Sequence, residues 1–310
     1  MIKPPARQFS FAFLGRAEAF QQMMDYAHSN FSHRDSSAKS QKTFVLVPGG
    51  PGVGKTRFAF ELQHSLPSLP HPDPSFHAAL QDPLYLSIDL NNGMQFNQLL
   101  DAHPLPDVRI GFRLAMAYFG GKMTLASISL SARDSFDTFD CASVLIKIIT
   151  RERARRGAGA TFCIIIHIDE YQIYIEKVAS SLNYSLEKAR EFFKDMLRSI
   201  GVFLVNSASN SGSVKNVFLL PVCTGTSAND VTFLPTEYHR VSIRLPPLSS
   251  DQAMQMAEER YHLQAAWARV KTSNHFVVAL NDTGTLLGRS PFSSLPRIYP
   301  PICRVPRGSR

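Results

Sequence analysis

The amino-acid sequence predicts an α/β fold, a three-layer sandwich in which helices cover both faces of a mainly parallel, five-stranded sheet. Apolar runs of strand length alternate along the chain with segments of helical periodicity, a pattern typical of parallel strands joined by right-handed crossovers. The run at residues 162–168 is apolar almost without interruption, which is typical of a strand buried on both faces. With 310 residues, 44% of them hydrophobic, the chain is long enough for one substantial core and a smaller appendage.

Each predicted strand is an apolar segment that ends at a turn or at a polar residue. The five strands are expected at residues 43–48, 84–90, 162–168, 217–223 and 240–245. Apolar residues at helical spacing predict helices at residues 16–28, 54–66, 108–119, 136–150 and 185–204. We expect a loop at residues 66–74, which are rich in Pro and His, and a further helix opened by Ser249-Ser250-Asp251.

The strongest motif lies between the first predicted strand and the helix that follows it. Residues 49–56 read Gly-Gly-Pro-Gly-Val-Gly-Lys-Thr and match G-x-x-x-x-G-K-[ST], the phosphate-binding loop. Its glycines let successive backbone N–H groups point at phosphate oxygens, and the helix adds its positive end. Lys55 is expected to reach the β- and γ-phosphates, and the Thr56 hydroxyl to bind Mg²⁺. The candidate nucleotide-binding residues are Gly49, Gly50, Pro51, Gly52, Val53, Gly54, Lys55, Thr56 and Arg57.

A second part of the site is predicted where the apolar run at 162–168 ends in Asp169 and Glu170. Carboxylates beside so apolar a run are costly to bury unless a cation compensates them, so Asp169 is the candidate Mg²⁺ ligand. Glu170 is the candidate for polarising an attacking water. His167, inside the strand, is expected to be a core residue without a catalytic role. Gln172 either contacts a nucleotide or caps the following helix.

Charge, cysteine usage and hydropathy restrict the class of protein. The net charge is +8, and five arginines but no acid follow Asp282. A second basic cluster at residues 151–156 is either a solvated helix end or a nucleic-acid contact. No apolar run approaches the ~20 residues of a membrane span, and the N-terminus lacks the apolar stretch of a signal peptide. The four scattered cysteines favour reduced thiols, so an intracellular protein, cytoplasmic or nuclear, is expected.

Segments around this core resemble the AAA+/STAND branch of P-loop ATPases. Residues 13–18, Phe-Leu-Gly-Arg-Ala-Glu, resemble the GR box of that branch, which implies that Gly15 and Arg16 lie near the nucleotide base. The end of the fourth predicted strand resembles the sensor-1 position, where a polar side chain responds to the γ-phosphate. Thr226 is preferred to Thr224 for that role. The resemblance implies the P-loop NTPase fold, with ATP and Mg²⁺ bound.

Within that branch, the sequence looks most like the Crinkler-type NTPases, which include relatives among the kinetoplastid retrotransposon hot spot proteins. The phrases that carry this likeness are residues 88–93, 166–172 and 225–227. After residues 281–284 the sequence departs from the family, because a Pro/Ser/Arg-rich stretch stands where lid helices with a nucleotide-sensing arginine would follow. Either a truncated lid or an altered reading frame over this stretch is therefore expected.

The resemblance and the composition together divide the chain into four predicted parts. They are an N-terminal segment with the GR box (1–40), a P-loop ATPase core (41–245), a partial helical lid (246–282) and a disordered Pro/Arg-rich tail (283–310).

The predicted function is ATP binding and Mg²⁺-dependent ATP hydrolysis coupled to a conformational change. Its predicted catalytic residues are Lys55, Glu170 and Thr226, and its predicted metal ligands are Thr56 and Asp169. The resemblance implies a homo-oligomer or other protein partner whose arginine finger completes the site, with Arg155 or Arg156 as candidates. Three alternatives stay open: a nucleotide-binding switch or interaction module with negligible turnover, a small-molecule kinase of similar fold, and a decayed copy from a multigene family.

Overall fold

The fold is built on a five-stranded, all-parallel sheet with helices on both faces, as the sequence predicts. The structure is a computed structural model that describes residues 13–119, 125, 138–209, 214, 216–226, 237–249, 251–252 and 255. The strands are β1 Thr43–Pro48, β2 Leu84–Asp89, β3 Phe162–Asp169, β4 Val217–Gly225 and β5 His239–Ser242. They lie in the order β2-β3-β4-β1-β5, and every neighbouring pair is parallel. This arrangement is that of a P-loop NTPase sandwich.

Helices connect these strands and cover both faces of the sheet. In chain order they are α1 Ala17–Ser32, α2 Lys55–Ser68, α3 Pro74–Leu80, α4 Gln98–Asp101, α5 Pro106–Phe119, α6 Cys141–Arg156, α7 Tyr171–Leu182 and α8 Leu186–Ser209. A short 3₁₀ turn, Lys39–Gln41, precedes β1.

Alternating side chains of the buried strands form two apolar layers. Val45 and Val47 of β1 pack with α1, α2 and α3 on one face, whereas Phe44 and Leu46 pack with α5 to α8 on the other. Strand β3 is buried along its whole length, which explains the uninterrupted apolar run that predicted it. Since helices cover both faces of the sheet, the polar residues at the ends of the strands lie at its edges.

Three helices, α3, α4 and α7, have no counterpart among the helices that the sequence predicts. Helix α3 occupies part of the segment between the predicted loop and β2, and Asp73 caps it by accepting hydrogen bonds from the Ser75 and Phe76 amides. Pro74 stands at its first position, so the Asp-Pro pair was a usable signal for a helix start. Helix α7 is a separate element that begins directly after Glu170. The helix predicted at residues 185–204 corresponds to α8, and no bounds were predicted for α7.

A side chain of α1 anchors that helix to two strands of the sheet. Asn30 Nδ2 donates to the carbonyls of Thr43 and Leu219, at 3.0 and 3.1 Å, and its Oδ1 accepts from the Thr43 amide at 2.7 Å. The amide is buried, so these bonds satisfy groups that water does not reach. They fix α1, and the residues just before it, against the strand that leads to the phosphate loop.

A buried ion pair holds the segment after β2 in place. Arg113 Nη2 lies 2.8 Å from Asp101 Oδ2, and both side chains are fully buried. Tyr174 donates to the same carboxylate at 2.6 Å, while the guanidinium also donates to the carbonyls of Met94 and Gln95. Because every charged atom has a partner, this network links α4 and α5 to α7 without leaving a buried charge uncompensated.

The basic end of α6 is occupied by ion pairs. Arg155 and Arg156 both contact Glu152 and Asp82, and the Arg156 guanidinium lies over the ring of Phe162, the first residue of β3. Both arginines therefore lie at the amino end of β3, roughly 23 Å of strand away from Asp169. They do not reach the candidate site of their own chain.

Two of the four predicted parts of the chain fall largely or wholly beyond the described residues. Of the predicted lid (246–282), only residues 246–249, 251–252 and 255 are described, and the predicted tail (283–310) lies outside the described residues. Ser249 and Gln252 form a reciprocal cap, which agrees with a helix start at the predicted place. Among the described residues, none of the helices has the length and apolar character that a membrane crossing requires.

Candidate functional site

The candidate site lies at the carboxyl edge of the sheet, where β1, β3 and β4 end side by side. Asp169 pairs in register with Thr224, and Pro48 pairs with Gly225. The Gly49 amide donates to the Gly225 carbonyl at 3.2 Å, which ties the start of the phosphate loop to the end of β4. Parallel α/β sheets bind their ligands at this edge.

The phosphate loop has the backbone shape that its glycines predict. Gly52 and Gly54 have φ angles of 84° and 91°, in the left-handed region that disfavours other residues. Gly54 directly precedes α2, so the positive end of that helix faces the loop. Lys55 Nζ donates to the Gly50 carbonyl at 2.9 Å, and the lysine folds back over the loop. Burial lowers the pKa of Lys55, an effect that Glu170 and Asp169 oppose.

The phosphate loop and the acids that end β3 are in direct contact. Thr56 Oγ1 donates to Asp169 Oδ2 at 2.7 Å, across 113 residues of sequence. Asp169 is 2% exposed, so its carboxylate meets protein donors rather than water. The two predicted metal ligands therefore face one another at a single place.

The other oxygen of Asp169 is held from β4. Thr224 Oγ1 donates to Asp169 Oδ1, and the Glu170 amide donates to the same atom at 3.0 Å. Thr224 is fully buried, whereas Thr226, the predicted sensor residue, is half-buried just beyond the end of β4. The structure thus gives Thr224 a contact with the carboxylate of Asp169, the candidate metal ligand, and the sensor role of Thr226 stays a prediction.

Glu170 has an unusual backbone and a restrained side chain. Its φ and ψ are 57° and 38°, a left-handed conformation that is uncommon for a residue with a side chain and often marks a functional position. Gln172 Nε2 donates to Glu170 Oε2. Burial, and next the charge of Asp169, raise the pKa of Glu170. A carboxylate shifted in this direction is better suited to accept a proton from water.

Arg16, the arginine of the predicted GR box, joins the phosphate loop to the segment after β5. Arg16 Nη2 donates to the Val53 carbonyl at 2.9 Å, and Nη1 donates to the Pro246 carbonyl at 2.6 Å. Gly15 has a φ of 66°, and a Cβ on it would lie 2.7 Å from the amide group of Gln252. Residues 15–16 therefore contact both the loop and the start of the predicted lid.

Arg57, the last candidate of the phosphate loop, points along α2. Its Nε lies 3.5 Å from Glu61 Oε1, and its guanidinium lies 4.8 Å from the ring centroid of Phe13. The Phe13 ring in turn covers Gly54, since a Cβ there would lie 3.3 Å from it. Phe13 thus closes one side of the loop, a role that the sequence reasoning did not assign to it.

The side-chain oxygen atoms of Thr56 and Asp169 are suited to bind Mg²⁺. Thr56 uses its proton on Asp169, which leaves hydroxyl lone pairs for a metal, and a hydroxyl with a carboxylate is the hard oxygen set that Mg²⁺ prefers. The described residues contain no group of three or more His, Cys, Asp or Glu side chains placed to bind a metal. A metal here would thus share its coordination with a substrate phosphate, as Mg²⁺ does in sites of this kind.

The sequence pattern missed the polar groups behind Asp169. His167 Nε2 lies 2.8 Å from Thr224 Oγ1, and Tyr85 Oη lies 2.6 Å from His167 Nδ1. His167 and Asp169 are two residues apart on one strand and so share a face, which was the one signal available in the sequence.

Comparison with known proteins gives distant structural likenesses and no match in sequence. No protein-family model matches the chain, and no curated protein matches it. Similar solved structures include the Aeropyrum pernix ORC1 protein in complex with DNA, with 13% identity and a TM-score of 0.42 over 83% of this chain and 52% of that one. The Aeropyrum pernix ORC2 protein in its ADPNP–ADP complexes has 11% identity and a TM-score of 0.45, over 84% of this chain and 54% of that one.

The structure of C. elegans PCH-2 is also similar, with 14% identity and a TM-score of 0.36. The match covers 84% of this chain and 50% of PCH-2. The chain spans about half the length of these proteins. Likenesses this distant decide nothing about activity, so the functional argument depends on the site itself.

Proposed function

We propose that this protein binds ATP with Mg²⁺ and hydrolyses it. The observation that supports this most is the hydrogen bond between Thr56 and Asp169, because it brings the phosphate loop and the acidic strand end to one place. A Gly-rich turn with no ligand would not need a buried carboxylate opposite its last residue. The neighbouring Glu170 favours hydrolysis over binding alone.

Each residue of the site has a distinct role in this proposal. The N–H groups of Gly50 and of residues 52–56, together with Lys55, bind the phosphates, and Lys55 exchanges its bond to the Gly50 carbonyl for phosphate oxygens. Thr56 and Asp169 hold Mg²⁺, which when bound neutralises charge on the phosphoryl oxygens. Glu170 orients a water for attack and accepts its proton, and its raised pKa suits that step. Thr226 is proposed to contact the γ-phosphate.

A nucleotide-dependent switch with negligible turnover is the second candidate. It is favoured by the hydrogen bond from Gln172 to Glu170, which holds the water-orienting carboxylate against its own helix. In that case nucleotide binding would act through Arg16, which contacts both the phosphate loop and the Pro246 carbonyl.

We further propose that the protein belongs to the AAA+/STAND branch and within it is related to the Crinkler-type NTPases. The position of Arg16 against the phosphate loop supports the branch, since a GR box is expected beside the nucleotide. Assembly with a second subunit, which would supply an arginine finger, is part of this proposal.

The experiment measures ATP affinity and ATP hydrolysis for the purified chain and for Lys55→Ala and Glu170→Gln. We expect Lys55→Ala to abolish binding, and Glu170→Gln to keep binding while turnover falls by about a hundredfold or more. Lys147→Ala and Glu176→Gln are matched controls, since both side chains are exposed and lie outside the site.

The outcomes separate the two candidates. Tight binding with equal, negligible turnover in wild type and Glu170→Gln would favour the switch. Unchanged ATP affinity in Lys55→Ala would contradict both candidates, because both require the phosphate loop to hold the triphosphate.

A further inference from the structure

Four polar side chains form a continuous hydrogen-bonded row that ends at the metal-holding carboxylate. From the edge strand inward they are Tyr85 on β2, His167 on β3, Thr224 on β4 and Asp169 at the end of β3. The contacts are Tyr85 Oη to His167 Nδ1 at 2.6 Å, His167 Nε2 to Thr224 Oγ1 at 2.8 Å, and Thr224 Oγ1 to Asp169 Oδ1. We call this row the carboxylate relay.

The number of protons available fixes the direction of every bond in the carboxylate relay. Ionised Asp169 only accepts, so Thr224 donates its single proton to it. The Thr224 oxygen then accepts from His167 Nε2–H, and a neutral imidazole protonated at Nε2 accepts at Nδ1 from the Tyr85 hydroxyl. All donors thus point toward Asp169, and the neutral histidine has one required tautomer.

Because His167 and Thr224 are buried, the loss of any one hydrogen bond between them and their partners would cost free energy. His167 is 1% exposed and Thr224 is fully buried, so neither can replace a lost partner with bulk water. The imidazole Nε2 is 3.9 Å from Asp169 Oδ1, beyond hydrogen-bonding distance, so it acts on the carboxylate through the Thr224 hydroxyl.

We propose that His167 and Tyr85 are positioning residues for the metal site, which orient Thr224 so that its proton is always directed at Asp169 Oδ1. With Thr56 on Oδ2, both carboxylate oxygens are then held, and the plane of the carboxylate is fixed before any metal arrives. Partners behind a metal ligand commonly change metal affinity by about 10- to 100-fold when removed. The inference rests on the proposed function, since it concerns the same Mg²⁺-holding carboxylate.

The relay also explains a histidine inside an otherwise apolar strand. A core histidine with no further role would need only local hydrogen-bond partners. His167 instead connects a half-buried tyrosine on the edge strand with the deepest polar group of the site. The two alternatives make different predictions about the Mg²⁺ requirement.

The first measurement is imidazole nitrogen NMR of the nucleotide-free full chain, with the His167 signal assigned from its loss in His167→Gln. We expect His167 to be protonated at Nε2, with Nδ1 accepting a hydrogen bond that disappears in Tyr85→Phe. Tyr26→Phe is the matched control, because Tyr26 packs against the same apolar layer as Tyr85. Protonation at Nδ1 in the wild type would overturn the relay.

The second measurement is the Mg²⁺ concentration needed for half-maximal nucleotide binding and for hydrolysis. We expect Thr224→Val and His167→Gln to raise this Mg²⁺ concentration by about 10- to 100-fold, and Thr224→Ser to keep the wild-type value. The affinity for ATP in the presence of EDTA should stay unchanged in all three variants. An unchanged Mg²⁺ requirement in Thr224→Val would contradict the inference. If nucleotide does not bind even to the wild type, the proposed function fails on that result alone, and the NMR measurement still decides the tautomer.

Discussion

Thr56 Oγ1 lies 2.7 Å from Asp169 Oδ2, and this hydrogen bond joins the two halves of the candidate site. It exists because β4 lies between β1 and β3, so that the residues after β1 and those ending β3 reach the same edge of the sheet. The fold itself therefore brings the two candidate metal ligands together. Such an arrangement reduces the free energy needed to order the site on binding.

Removing this hydroxyl should weaken both the fold and the metal site. Thr56→Val preserves the shape of the side chain but leaves Asp169 Oδ2 without its donor, and we expect a loss of about 1–3 kcal/mol in the free energy of unfolding. Urea denaturation measures this change in stability. Nucleotide binding with and without Mg²⁺ measures the effect of losing the Thr56 hydroxyl as a metal ligand. Thr56→Ser is the matched control and should keep both properties. Equal stability of the Val and Ser variants would contradict this assignment of the bond.

Gly225 should be intolerant of even a methyl group. A Cβ at this position would meet the ring of Tyr171 and lie 2.6 Å from Gln172 Oε1. Overpacking of this kind costs about 1–3 kcal/mol, and it would also displace the carbonyl that accepts from the Gly49 amide. We therefore expect Gly225→Ala to lower the melting temperature and to weaken ATP binding together.

The control for this prediction is Gly159→Ala. A Cβ there would have no neighbour within 4 Å, so we expect its stability to stay within about 0.5 kcal/mol of the wild type. If calorimetry found the two alanine variants equally stable, close packing around Gly225 would not be a constraint on the site.

Lys42 should make stability depend on pH in the alkaline range. Its side chain is 1% exposed and donates to the carbonyls of His33 and Arg34 at the end of α1, at 2.8 and 3.0 Å. Burial lowers the pKa of Lys42 to about 8, whereas the pKa of an unfolded lysine is ~10.4. Between these values the unfolded chain binds more protons than the native protein, so the contribution of Lys42 to stability rises with pH.

The measurement compares the free energy of unfolding at several values from pH 7 to pH 10 for wild type and Lys42→Met. The wild type should gain stability relative to the variant above pH 8, while the exposed-lysine control Lys39→Met should follow the wild type. Parallel pH profiles for wild type and Lys42→Met would show that Lys42 keeps an ordinary pKa in the folded state.

Local sequence patterns predicted most of the sheet, because each strand carries its own signal. The run of β3 is apolar because both of its faces are buried, and β4 and β1 follow the same rule. The helices were predicted less completely. The Asp73 cap of α3 lies within the Pro/His-rich stretch that was predicted as a loop, and α7 begins directly after Glu170, ahead of the helix predicted at residues 185–204.

The sequence by itself determined the phosphate loop and the acidic strand end, since glycine backbone freedom and the cost of burying a carboxylate are properties of neighbouring residues. The tertiary structure alone decided which polar groups complete the site. Arg16 finds its acceptors 37 and 230 residues away, and His167 reaches Thr224 across 57 residues. Hydrogen bonds between such distant residues depend on the order of the strands, and no local pattern encodes that order.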